Sequence, residues 1–141
     1  MHDPLVLVVN DNLVANRVNC VMLRKRGYEV AVAMDGREAV ESCLRCPPVA
    51  VVMDIDMPVM DGLAAAAELR RLHAEGALPY IAIVGTSASM SEERSALCRD
   101  VGMLHTLLKP VTYDTLCSAV DSAVAVALPH RACGGDERGP V

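Results

Sequence analysis

Tryptophan and phenylalanine are absent from this 141-residue chain, and only three tyrosines occur. The length suits one domain with a substantial core, so aliphatic side chains must fill it. No basic excess exists either. A net charge of −5 argues against a nucleic-acid groove, which needs a basic face, and against a polybasic membrane anchor. No apolar run approaches the ~20 residues of a membrane span. The opening "MHDPLVLVVNDN" lacks the basic flank and cleavage pattern of a secretory signal. The expectation is a soluble, cytoplasmic chain with no nucleic-acid partner and no direct membrane contact.

Six cysteines are present: Cys20, Cys43, Cys46, Cys98, Cys117 and Cys133. Most fall on core-facing helical positions of a chain large enough to need no staples, which excludes a disulfide framework. Cys43 and Cys46 form a lone C-x-x-C without a second pair or a nearby histidine. It reads as small apolar residues on a helix rather than zinc or redox chemistry.

What is there is a strict alternation. "LVLVV" at 5–9, "EVAVA" at 29–33, "VAVVMD" at 49–54, "YIAIVGT" at 80–86 and "MLHTLL" at 103–108 read as strands, most of them continuously apolar, as strands buried on both faces are. Between them lie helical patterns. Leu13, Val14, Val18, Val21, Met22 and Leu23 recur at helical spacing up to Gly27, a C-terminal glycine. "DGREAVESCLRC" is stopped by Pro47 and Pro48. "LAAAAELRRLHAEG" and "SEERSALCRDVG" follow, and "YDTLCSAVDSAVAVAL" is expected to stop at Pro129. The tail, 129–141, is expected to be disordered, leaving one domain over 1–128. Five strands alternating with five helices, joined by short connections, predict a doubly wound α/β fold with a five-stranded parallel sheet covered on both faces.

In such a fold, chemistry gathers outside the carboxyl ends of the strands. Those ends carry Asn10 and Asp11, Asp54, Thr86 and Ser87, and Lys109. The topology therefore makes Asp11 and Asp54 neighbours across 43 positions of sequence. Two close carboxylates repel unless a cation sits between them, and hard oxygens at an open site suit Mg²⁺. With a lysine and a hydroxyl alongside, the constellation suits phosphoryl transfer onto a carboxylate.

The motifs "VLVVNDN", "VVMDIDMPVMDG", the "TSA" after the fourth strand, the "VG" closing the fourth helix and "LLKP" together resemble a response-regulator receiver domain over residues 5 to about 127. The wording of "NDNLVANR" and "MDIDMPVMDG" is similar to receivers of hybrid histidine kinases and phosphorelays. The resemblance implies a flavodoxin-like strand order, 2-1-3-4-5. It makes Asp54 the phosphoacceptor, Asp11 a direct Mg²⁺ ligand and Asp56 a further ligand through its backbone carbonyl. Lys109 would pair with the phosphoryl oxygens, and Pro110 would follow a cis peptide bond. Ser87, chosen over Thr86 by counting back from Gly102 and Lys109, would be the hydroxyl that moves to the phosphoryl group.

Plainer readings stand beside these. Asp35 is a turn and helix cap, and Asp61 with Gly62 is turn chemistry. The Asp56 side chain reads as a solvated loop acid. His2, His73, His105 and His130 share no metal spacing. Two positions depart from the family: Asn10 replaces the first acid of the strand-one pair, leaving it at most an outer-shell metal contact, and Thr106 stands where many receivers carry an aromatic.

The implied function is that of a signalling module, not an enzyme beyond its own phosphorylation and dephosphorylation. A histidine kinase or histidine phosphotransfer protein would be the donor, and the chain acts alone or as the cytosolic receiver of a larger hybrid kinase. The alternative is a degenerate, phosphorylation-independent docking or dimerisation domain, with a homodimer as its product. A haloacid-dehalogenase-like phosphatase fits poorly: no cap domain is present, and the metal acid would lie in the wrong strand.

Overall fold

The computed structural model describes residues 3–57 and 61–135, the last five of these by backbone alone. Ten elements alternate along the chain: β1 (Leu5–Val9), α1 (Leu13–Arg26), β2 (Glu29–Ala33), α2 (Gly36–Arg45), β3 (Ala50–Asp54), α3 (Gly62–Ala74), β4 (Ala82–Ser87), α4 (Glu92–Asp100), β5 (Met103–Leu108) and α5 (Tyr113–Gly135). The strands form one sheet in the order β2-β1-β3-β4-β5, and every neighbouring pair is parallel. The doubly wound expectation and its 2-1-3-4-5 order are both observed.

The continuous apolar strands are central for the reason they were apolar. All of β3 and β4 is buried, and alternate residues feed two cores. Val51, Met53 and Ile83 join α2, α3 and α4 through Val40, Ala65, Leu69 and Cys98. On the other face Val6, Val8, Val52 and Val84 meet Leu23 of α1 and Leu116, Val120 and Val124 of α5. No aromatic lies in either buried set. Burying each aliphatic side chain contributes about 1.5–3 kcal/mol.

Helix starts are capped by the residues the sequence offers. The Asn12, Asp35, Asp61 and Ser91 side chains each accept a hydrogen bond from the backbone N–H three residues on. Glu38 accepts in turn from the Met34 N–H at 2.7 Å, closing a reciprocal cap around Asp35. Gly27 ends α1 at φ 108°, a left-handed conformation that favours glycine. The two C-x-x-C cysteines take opposite environments: Cys43 is buried and Cys46 exposed. Burial pushes the Cys20, Cys98 and Cys117 thiols up, away from thiolate reactivity.

Two details differ from the sequence reading. Helix α5 does not stop at Pro129 but runs through it to Gly135; residues 136–141 of the expected tail lie outside the described residues. Proline removes one helical hydrogen bond, and here both Pro129 and Ala125, whose carbonyl is released, are exposed to water. His130 beyond it packs its ring on Tyr80, centroids 4.6 Å apart. In α1, Leu13, Val14, Val18 and Val21 recur with helical period yet are exposed, while Asn16 and Cys20 face inward with Leu23.

Candidate functional site

Parallel strands deliver their carboxyl ends to one edge of the sheet, and the polar residues sit there. β1 pairs with β3 up to Val9 opposite Met53, so Asn10 and Asp11 emerge beside Asp54. Asp11 is exposed and Asn10 is buried. The next strand pair places Asp54 directly opposite Thr86.

Asp54 is the buried carboxylate of the site, its side chain 3% exposed. Such a group is costly without compensation. Two contacts supply it on one oxygen, Oδ1: the Lys109 ammonium at 3.0 Å and the Asp56 backbone N–H at 3.2 Å. Lys109 reaches across because β5 ends beside β4, where its N–H donates to the Ser87 carbonyl at 2.9 Å. The Lys109–Pro110 peptide bond is cis, as the resemblance implied.

Gly62 crowds Asp54 from the other side. A Cβ at this position would lie 2.5 Å from the Asp54 carbonyl oxygen and 2.8 Å from Ile55 Cα. Only glycine lets α3 start so close to the strand end. Asp61 caps the helix and Pro58, Val59 and Met60 lie outside the described residues.

Asn10 is held from three directions. Its N–H donates to the Ala33 carbonyl, its carbonyl accepts from Asn16 Nδ2 at 2.8 Å, and its Oδ1 accepts from the Asn12 N–H at 2.9 Å. The side-chain oxygen that an outer metal shell would use is thus engaged locally. Asn16 itself was not singled out in the sequence, since a buried amide in a polar helix leaves no periodic signal.

The two hydroxyls at the end of β4 part company. Ala82 and Val84 face the α1/α5 core, as do Ala50 and Val52 of β3; alternation therefore sends Thr86 and Asp54 to the same face and Ser87 to the other. The Ser87 hydroxyl is linked to Asp54 through one residue: its partner Asp56 donates its backbone N–H to Asp54 at 3.2 Å. β4 and β5 are out of even step, Ile83 pairing with Met103 but Val84 with His105.

Ser87 belongs to a cluster on the α4 side. Its Oγ lies 3.0 Å from Asp56 Oδ2, 2.7 Å from the Ser89 carbonyl and 3.2 Å from an Arg94 guanidinium nitrogen. Arg94 also pairs with Asp56 Oδ1, and the Ala88 N–H donates to Asp56 Oδ2 at 3.3 Å. Burial alone would raise the Asp56 pKa. The Ala88 N–H, the Ser87 hydroxyl and Arg94 outweigh it and hold the carboxyl below the ordinary carboxylate range. Asp56 is no idle loop acid. Arg94 lay unnoticed in "SEERS", a run that reads as a solvated helix face.

Thr106 is exposed on β5, opposite Gly85. His73 Nδ1 lies 3.0 Å from the Leu78 carbonyl, and His105 Nε2 2.9 Å from Ser122 Oγ; the His73 and His130 rings both pack on Tyr80, and His2 lies outside the described residues. Among the described residues, no three His, Cys, Asp or Glu side chains are grouped to hold a metal ion. The oxygen donors at the strand ends are Asp11, Asp54 and the Asp56 backbone carbonyl. Their hardness fits Mg²⁺, and Asn10 leaves the set one charge short.

A sequence model of the response regulator receiver domain matches residues 6–121. The chain belongs to that family. It is a receiver domain of two-component signalling, and its relatives include hybrid histidine kinases. The peroxide stress-activated histidine kinase mak1 of Schizosaccharomyces pombe is 35% identical over 114 residues, covering 79% of this chain and 7% of that protein. The hybrid signal transduction histidine kinase M of Dictyostelium discoideum is 30% identical over 121 residues, 84% of this chain and 5% of that protein. The receiver thus spans a small part of these curated relatives. Among solved structures, the chemotaxis protein CheY4 of Vibrio cholerae superposes with a TM-score of 0.79 at 26% identity, covering 86% of this chain and 98% of that one. No helix among the described residues is long and apolar enough to cross a membrane.

Proposed function

We propose that this receiver accepts a phosphoryl group on Asp54 from a phosphohistidine donor and transmits the change through the end of β4. The observation that carries the reading is the Asp54–Lys109 pair: a buried carboxylate at a strand end, one oxygen held by an ammonium at 3.0 Å. The other oxygen carries neither the Lys109 nor the Asp56 N–H contact and serves as the nucleophile. The phosphorus–nitrogen bond of the donor imidazole breaks as the oxygen–phosphorus bond forms. The leaving nitrogen keeps the electron pair, and because the donor ring carries a proton on its other nitrogen, the histidine returns as neutral imidazole. Transfer of this kind depends on positioning and on cations near the phosphoryl oxygens. Lys109 supplies one, with a charge-assisted contact to the product.

Asp11, Asp54 and the Asp56 carbonyl would hold Mg²⁺, which when bound neutralises charge on the phosphoryl oxygens. Ser87, at the end of β4, would be the hydroxyl that moves to the new group, leaving its contacts with Asp56 and Arg94. The partner is a histidine kinase or histidine phosphotransfer protein. The exposed apolar stripe of Leu13, Val14, Val18 and Val21, starting two residues beyond Asp11, favours a protein donor over a small one. Catalysis is confined to the domain's own phosphorylation and dephosphorylation.

Intact mass after treatment with acetyl phosphate and Mg²⁺ tests the reading. A gain of one phosphoryl group in the wild type, lost in the near-isosteric Asp54→Asn, supports it; equal labelling of the variant moves the acceptor elsewhere, with Asp56 first in line. A phosphorylation-independent docking domain is the second reading. It is favoured by Asn10, whose oxygen is engaged by the Asn12 N–H, and absence of any phosphoryl gain selects it.

A further inference from the structure

Asp56 faces two ways. Its backbone N–H donates to the acceptor carboxylate at 3.2 Å, while its own carboxylate gathers the Ser87 hydroxyl, the Ala88 N–H and the Arg94 guanidinium. Arg94 stands in the first turn of α4, where its N–H donates to the Ser91 cap at 3.1 Å. The same guanidinium lies 3.2 Å from Ser87 Oγ. Ser87 is fully buried and directly follows Thr86, and its carbonyl accepts from the Lys109 N–H at 2.9 Å. One ion pair thus ties the β3–α3 loop, the end of β4 and the start of α4 to the two residues that meet at the acceptor, Asp54 and Lys109.

We infer that Arg94 is a positioning residue of the phosphorylation switch: paired with Asp56, it latches the Ser87–Ala88 segment, and with it α4, in the unphosphorylated arrangement. The inference rests on Asp54 being the phosphoacceptor. Converting Asp54 to an acyl phosphate removes the carboxylate charge that the Asp56 N–H meets and adds bulk against Lys109. Both changes pull on the segment that the latch holds. The Ser87 hydroxyl cannot move toward a phosphoryl group while Asp56 and Arg94 hold it, so the latch opposes engagement. The latch is also made to open: Arg94 Nε is buried without a hydrogen-bond partner, so the guanidinium is not fully satisfied where it stands.

A contact made only in the resting arrangement lowers the population competent to bind a phosphoryl mimic, and removing it raises apparent affinity by the same factor. Asp56 and Arg94 are each about a third or more exposed, which places the effect at the low end for coupled groups, roughly 3- to 10-fold.

The test is titration of beryllium fluoride with Mg²⁺, which mimics an aspartyl phosphate, into the intact wild-type chain, Arg94→Ala, Arg94→Lys, Asp56→Asn and the Asp56→Asn/Arg94→Ala double variant. Arg94→Ala should bind the mimic roughly 3- to 10-fold more tightly, Arg94→Lys should return most of the way to wild type, and the double variant should be no tighter than the tighter single. Arg94→Gln replaces the alanine variant if that one does not fold. Unchanged affinity in Arg94→Ala, or additive effects in the double variant, overturns the latch. Weaker binding also overturns it and places Arg94 on the phosphoryl group instead. A wild type that binds no mimic refutes the phosphoacceptor reading itself, a failure distinct from the others.

Discussion

Replacing Gly62 by alanine should damage the Asp54 site and the fold together. The added Cβ would sit 2.5 Å from the Asp54 carbonyl oxygen, whereas real Cβ atoms essentially never come within 3.0 Å of such a neighbour. Backbone must therefore retreat by about half an ångström, and neither side is free to do so. On one side the Ile55 N–H donates to the Thr86 carbonyl at 2.9 Å, joining β3 to β4 beyond the last ladder pair; on the other the Gly62 N–H donates to the Ile55 carbonyl at 3.2 Å. Overpacking of this kind costs about 1–3 kcal/mol, and weakening one hydrogen bond about 1 kcal/mol more. Alanine returns at most ~1 kcal/mol of helix propensity, less at a first-turn position. The expected loss is about 2 kcal/mol, or roughly 6–8 °C in Tm for a domain of this length. Circular dichroism melts measure the first quantity, and the rate of phosphoryl gain from acetyl phosphate should fall in parallel because the Asp54 backbone is displaced. A variant that melts with the wild type and labels as fast would show that the close approach at Gly62 does not constrain the site.

Three further outcomes are expected. Lys109→Ala should still accept a phosphoryl group, more slowly, but transmit less of it; equal differences in amide exchange between phosphorylated and free forms, in variant and wild type, would refute that role. Asn10→Asp should tighten Mg²⁺ binding by about 10–100-fold and lower stability without metal, since the new carboxylate keeps the Asn12 N–H contact while adding repulsion beside Asp11 and Asp54; titration calorimetry showing equal affinities would place position 10 outside the metal's surroundings. Asp121 is partly buried, which alone would raise its pKa, yet Arg26 and Tyr28 bond it and hold it below the ordinary carboxylate value. A depressed folded-state pKa stabilises the fold above the unfolded value of about 3.9, and that contribution disappears as pH falls through the folded value. Urea midpoints should therefore drop less between about pH 6 and pH 3 in Asp121→Asn than in wild type, and identical drops would refute the linkage.

The sequence by itself determined the architecture, because buried parallel strands must be apolar throughout and their interruptions must be polar. "LVLVV" and "VAVVMD" read as strands buried on both faces, and the parallel sheet then sent Asp11, Asp54 and Lys109 to one edge. The caps at Asp35 and Asp61 were legible for a local reason, since a side chain reaching three residues along needs no tertiary partner. Where neighbours in space decide, the sequence misled or was silent. Pro129 is a helix breaker in isolation, yet exposed backbone and the Tyr80–His130 contact carry α5 past it. Leu13, Val14 and Val18 have the period of a buried face but look outward, because the direction of a face depends on what the helix packs against. Thr86 and Ser87 are adjacent and chemically alike; only pairing with Asp54 and strand alternation assign them to opposite sides of the sheet. Arg94 and Asp56 lie 38 positions apart, in segments that each read as solvent-facing. Their pairing exists because β4 brings the start of α4 beside the end of β3, and an ion pair between distant segments leaves no trace in either one alone.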